Sequence, residues 1–180
     1  MRVTRTVRDF ENALIKVLET TSFDAVTVEQ ICAEALLHRS SFYRYFNDKY
    51  DLLQQTMSMM LNQLLKDQGH NDDIIEQIVN FVDTHKEVFR NISVNNGRNY
   101  LDMEVLTVIS RIMLARRDTK SQDALIETLR RTDQPEMLAY VLSGAIMGAF
   151  VWWRKSNYDL PKEQIISFIK VAVNGVKSFY

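Results

Sequence analysis

The chain has 180 residues, 46% of them hydrophobic and 25% charged, with two prolines, one cysteine and a formal net charge of −1. This length supports a sizeable core but is short for two independent domains, and a lone cysteine excludes an internal disulfide. Few residues alternate with period two, so an all-α fold follows.

In chain order, Phe10, Leu14, Val17 and Leu18 mark one face of a first helix starting near Thr4 or Thr6. Arg2, Arg5 and Arg8 precede or open it, where a basic arm can follow phosphates or simply remain solvated. Between Met1 and Tyr50 seven Lys/Arg face seven Asp/Glu, so binding to a polyanion needs the positive groups gathered on one face.

The segment from Phe23 to Leu53 reads as three short helices with two tight breaks, the form of a helix-turn-helix. Thr27 and Gln30 fit a T-x-x-Q capping box, which starts a helix at Thr27 with Val28, Ile31, Cys32 and Ala35 inward. After a break over Leu36 to His38, a second short helix points Phe42 and Phe46 inward at i, i+4. Its outer face then carries Arg39, Ser40, Ser41, Tyr43, Arg44 and Tyr45, donors suited to base edges and phosphates. Asp48 caps a third helix. Lys49 lies in that helix's first turn, against the dipole, and a nearby phosphate would explain the placement.

At these residues the chain resembles the TetR family of transcriptional regulators. The likeness rests on Val26-Thr27, on Ile31 to Leu37, and on Tyr43-Arg44-Tyr45-Phe46-Asn47-Asp48-Lys49-Tyr50-Asp51-Leu52, and covers about the first third of the chain. Leu36 stands where the family usually has a turn glycine, and His38 where a capping serine is common. The resemblance implies a three-helix DNA-binding head, residues 1–48, joined to a larger helical effector-binding and dimerisation body, residues 49–180. It implies contacts to double-stranded DNA, a pseudo-palindromic operator, from Thr27, Arg39, Ser40, Ser41, Tyr43, Arg44, Tyr45 and Lys49.

The helix opened by Asp48 runs to about Lys66, with Leu53, Met57, Met60 and Leu64 recurring on one side. Residues 67–72 carry turn chemistry, and Ile74, Ile78, Phe81, Val82 and His85 mark the next helix, reaching roughly Phe89. Further helices are expected at about 101–116 and 122–131. Met137 to Trp153 is apolar apart from Tyr140 and Ser143. It falls just short of a bilayer span and reads as a helix buried on nearly all sides, with no membrane association. Gly144 and Gly148 form G-x-x-x-G, which permits close helix contact. A last helix has Pro161 in its first turn and buries Ile165, Ile169, Ala172 and Val176, with Ile166 and Val173 beside them.

By the same resemblance these two closing helices form a homodimer interface, with Val141, Gly144, Ala145, Gly148, Trp152, Ile165, Ile169, Ala172 and Val176 at the contact. The body of a TetR-like protein also holds a small-molecule effector, for which Met57, Met60, Phe81, Phe89, Tyr100, Met103 and Trp153 are the candidate wall. No cofactor or metal is expected, because His38, His70 and His85 are scattered without ligand spacing. No phosphate loop or nucleophile elbow is present, so the chain is not read as an enzyme. Arg2 and Arg5 are followed by no apolar signal region, which points to the cytoplasm. The leading function is a dimeric repressor released by an effector. The alternative is a protein-interaction module or activator working through a partner, and the phrase Tyr140 to Trp153 with Leu160-Pro161-Lys162-Glu163 is similar to a TetR subgroup that includes such proteins.

Overall fold

The computed structural model describes residues 4–66, 73–92, 100–119 and 121–177. Ten helices and no strands occur among them, and the chain divides into two compact units, Met1–Asn62 with His85–Gly97, and Gln63–Thr84 with Arg98–Tyr180.

The first unit is built around one phenylalanine. Helix α1 (Arg5–Leu18) is capped by Thr4, whose hydroxyl accepts the Val7 N–H at 3.3 Å, and it turns Val7, Phe10, Leu14 and Leu18 inward. Phe10 meets Phe42 edge-on at 5.5 Å and Phe46 at 5.8 Å, so α1 is pinned to α3 (Arg39–Tyr45) and to the residue that ends it. Such edge-to-face pairs contribute roughly 0.5–1.5 kcal/mol each beyond burial. Helix α2 (Val28–Ala35) buries Ile31 and Cys32 against α1. Helix α4 (Lys49–Lys66) buries Leu52, Leu53, Met57, Met60 and Leu61, and α6 (Lys86–Ile92) packs on α1. Asn91 of α6 donates its amide to the Leu18 carbonyl at 2.8 Å and accepts the Phe23 N–H at 2.8 Å.

Residues 74–89, expected as one helix, form two. Helix α5 (Ile74–Thr84) ends before His85, and α6 restarts with the His85 carbonyl accepting the Phe89 N–H at 3.1 Å. The apolar spacing runs on through the break, because α5 supplies Ile74, Ile78 and Val82 to the second unit while α6 supplies Val88 to the first.

The second unit contains α5, α7 (Tyr100–Arg117), α8 (Ala124–Arg131), α9 (Pro135–Lys155) and α10 (Lys162–Lys177). Helices α7 and α9 form its main pair, with α8 against both and α10 across α5 and α9. Asp123 caps α8 by accepting the Leu125 N–H at 2.7 Å and also accepts the Ile74 N–H of α5 at 2.9 Å. Arg130 donates to the carbonyls of Arg117, Thr119 and Ser121, closing the α7–α8 connection. Trp153 is buried, and its indole N–H donates to the Leu160 carbonyl at 2.9 Å, which locks the α9–α10 turn.

Helix α9 is long and apolar enough to cross a membrane, but 44% of its apolar stretch is buried inside the protein. Leu138, Leu142, Ile146, Phe150 and Trp153 are buried at helical spacing. The expectation of burial on nearly all sides is corrected, since Met137, Tyr140, Val141, Ala145, Gly148 and Trp152 are exposed on its other face.

Candidate DNA interface

Helices α2 and α4 are opened by side-chain caps, whereas α3 begins at His38 with no side-chain cap bond. The Thr27–Gln30 capping box forms in full, with the Gln30 N–H donating to Thr27 Oγ1 at 3.2 Å and the Thr27 N–H to Gln30 Oε1 at 2.8 Å. Asp48 Oδ1 accepts the N–H groups of Tyr50 and Asp51, both at 2.8 Å, and so opens α4. Asp51 reaches back to the Asn47 N–H at 3.0 Å. With both carboxylates on N–H groups, the start of α4 is fixed locally.

Between α2 and α3 the chain turns at Leu36, with φ 54 and ψ 38 in the left-handed region. The Leu36 N–H donates to the Ala33 carbonyl at 3.2 Å and the Leu37 N–H to the Cys32 carbonyl at 3.0 Å, the paired bonds of a Schellman ending. Leucine in this backbone costs roughly 1–2 kcal/mol, which glycine avoids. The turn therefore keeps the glycine-type geometry despite its residue.

The turn delivers α3 with Phe42 and Phe46 in the core and one face in solvent. On that face Arg39, Ser40, Tyr43 and Arg44 are exposed, and Ser41 and Tyr45 are half-buried at its margins. Arg39 lies along the helix over Tyr43, with its Nη2 3.4 Å from the phenol oxygen and its guanidinium carbon 5.9 Å from the ring centre. The pair is therefore preorganised as one donor-rich ridge. Thr27 is exposed at the start of α2, its hydroxyl engaged with Gln30. Arg5 and Arg8 are exposed on α1, while Arg2 lies outside the described residues.

Lys49 is placed by a different cause from the phosphate expected. Its ammonium donates to the carbonyls of Phe23 at 2.9 Å, Asp24 at 3.1 Å and Val26 at 2.8 Å, and sits 4.9 Å from the centre of the Phe23 ring. Three protons meet three carbonyls of the α1–α2 loop. Sequence pattern offered no sign of this, because the acceptors are backbone atoms more than twenty residues away.

The residues expected to line an effector pocket fall in both units. Met57, Met60 and Phe89 belong to the first, where the two methionines are core. Phe81, Met103 and Trp153 belong to the second, half-buried, exposed and buried respectively, and the Tyr100 side chain lies outside the described residues.

The second unit does hold one unusual group that sequence reading missed. Arg116 is only 7% exposed at the end of the buried Ile109, Ile112, Met113 stripe of α7. Among the described residues its guanidinium has a single acceptor, the neutral amide oxygen of Gln77 on α5.

The residues expected at a dimer contact separate into two sets. Val141, Ala145, Gly148, Trp152 and Ala172 are exposed, Gly144 is half-buried, and a Cβ added at Gly144 or Gly148 would meet nothing within 4 Å. Ile165 and Ile169 are instead core of their own chain, together with Val173. Phe168 and Val171, each 69% exposed, occupy the outer face of α10 in their place, and the Val176 side chain lies outside the described residues. Of the four positions expected to be buried on α10, Ile165 and Ile169 are buried, while Ala172 is exposed.

Two family models match the chain. Residues 12–56 match bacterial regulatory proteins of the tetR family, and residues 69–175 match a transcriptional regulator C-terminal region. No curated protein matches the sequence. A solved structure of a proposed fatty acid metabolism regulator from Clostridium perfringens is similar in fold, with a TM-score of 0.51 at 16% identity over 92% of this chain and 96% of that one. With a tetR-type head and a regulator body matched along most of its length, this all-α chain belongs to the TetR family of transcriptional regulators and is not an enzyme.

Proposed function

We propose that the protein acts as a homodimeric repressor that binds a pseudo-palindromic operator and leaves it when a small-molecule effector is bound. The observation that carries the dimer is the pair of exposed apolar faces in one unit, Val141, Gly148 and Trp152 on α9 with Phe168 and Val171 on α10. Exposed apolar faces of this kind mark an interaction site, and a two-fold contact covers both faces with their own copies. Two heads then address half-sites one helical turn apart, about 34–36 Å, or further on a longer operator.

In this reading Arg39, Ser40, Ser41, Tyr43 and Arg44 meet bases and adjacent backbone, and Thr27 and Tyr45 hold phosphates. Lys49 is a positioning residue, which fixes the loop before Thr27. Support for an anionic group on the effector comes from Arg116, a guanidinium buried beside a neutral amide. The effector changes operator affinity only by its differential affinity for the two states, typically 1–3 kcal/mol, roughly 5- to 150-fold.

The test is selection of genomic fragments by the purified protein at about 0.15 M salt, where non-specific binding is already weakened. A short inverted repeat bound by two chains, and transcription that falls when protein is added, support the reading. Binding by one chain, or transcription that rises, overturns it. No fragment above background would favour docking to a partner protein instead.

A further inference from the structure

Leu36 combines two unfavourable features with no return inside the chain. Its backbone is held in the left-handed region, where glycine is at ease and leucine is not. Its side chain is 90% exposed, the most exposed large hydrophobic group described. The turn needs only its backbone, since the Schellman bonds come from the N–H groups of Leu36 and Leu37.

The position of that side chain narrows what it could touch. Leu36 stands two residues before His38, the N-cap of α3, and Ala33, His38, Arg39 and Ser40, close to it in the chain, are exposed as well. In a helix-turn-helix the reading helix meets base edges in the major groove with its N-terminal residues. Every base-edge feature there is a polar donor or acceptor except one, the C5-methyl of thymine. An exposed isobutyl group in the turn that leads into the reading helix is complementary to that methyl and to little else in the groove.

We propose that Leu36 is a specificity-determining residue of the DNA interface, packing its side chain against a thymine methyl next to the base read by Arg39. The proposal rests on operator binding by α3. It gives the left-handed leucine a role, selection for thymine at one operator position in each half-site.

The experiment replaces, one at a time, each thymine of a selected duplex by uracil, which removes only the methyl. Wild-type protein and the Leu36→Gly and Leu36→Ala variants are compared by titration, with thermal unfolding as a check on folding. Wild type is expected to lose about fourfold in affinity at one position per half-site, the scale of one buried methyl. Both variants are expected to bind thymine and uracil duplexes alike there, and to keep their preference at other positions. Wild-type indifference to every replacement, with a selected operator in hand, overturns this proposal alone. Variants that keep the full wild-type sensitivity also overturn it. Failure to select any duplex overturns it together with the operator-binding reading.

Discussion

The Lys49 ammonium lies 2.8 Å from the carbonyl oxygen of Val26, the residue immediately before the Thr27 cap, and it holds the Phe23 and Asp24 carbonyls as well. One side chain of α4 thus fixes the entry to α2. Lys49→Met is expected to lower the stability of the head by about 2 kcal/mol, since two partly buried carbonyls and one exposed carbonyl lose a charged donor. Operator affinity should fall with it, while the slope of affinity against salt stays unchanged because the ammonium is committed to the loop. A slope reduced by about one unit with stability intact would return Lys49 to a phosphate.

Arg39 acts through its end groups, and its contact with Tyr43 sets where they are. Arg39→Ala is expected to cost about 1–3 kcal/mol on the selected operator and to relax preference at one base pair, as loss of a bidentate contact does. Tyr43→Phe keeps the ring under the guanidinium and removes the 3.4 Å oxygen contact, so it should weaken binding less. Selection of randomised duplexes with each variant checks both, and an unchanged preference in Arg39→Ala would remove it from base reading.

The head was legible in sequence because its signals are local. Thr27 and Gln30 are three residues apart, Phe42 and Phe46 four, and each pair does in the structure what its spacing implies. The Leu36 turn was visible as a departure, and the backbone shows that the geometry is kept while the residue changes. Contacts over long separations were not legible, as Lys49 to Val26 and Arg116 to Gln77 show. Apolar periodicity also cannot say which apolar face is core. Ile165 and Phe168 are three residues apart and equally apolar, and only packing against α5 and α9 decides that the first is buried and the second exposed.

That exposed face gives a direct test of assembly. Trp152 is 53% exposed, so Trp152→Glu leaves the core of its own chain undisturbed. Two-fold symmetry makes the charge occur twice in the interface, and a dimer at micromolar concentration should become monomer by sedimentation. Operator affinity is expected to fall by about a hundredfold as avidity is lost. A monomeric wild type would refute the interface at once.

Glu11 supplies a pH-dependent component. It is 3% exposed on the inner side of α1, its Oε2 has no hydrogen-bond partner among the described residues, and burial raises its carboxyl above the ordinary 4.5, with Arg8 opposing in part. A raised folded-state value means the favourable contribution is present below the unfolded value and is lost as pH rises through the folded one. Glu11→Met is therefore expected to stabilise the head by about 1 kcal/mol at neutral pH, a gain that shrinks on acidification. Urea midpoints measured from acid to neutral pH check it, and a constant difference between variant and wild type would place the effect elsewhere.

Arg116 separates a structural arginine from one that awaits a ligand. Removing a guanidinium required by the fold would take its hydrogen bond from the Gln77 amide oxygen and leave the second unit weaker. One held for an anion carries an uncompensated burial cost in the free protein, and an apolar residue of similar length relieves it. Arg116→Met is accordingly expected to raise the melting temperature of the free protein by a few degrees, corresponding to about 1–3 kcal/mol. Operator binding should persist while release by the effector is lost. A lower melting temperature, or normal release, would assign Arg116 to architecture and take the anion requirement away from the effector.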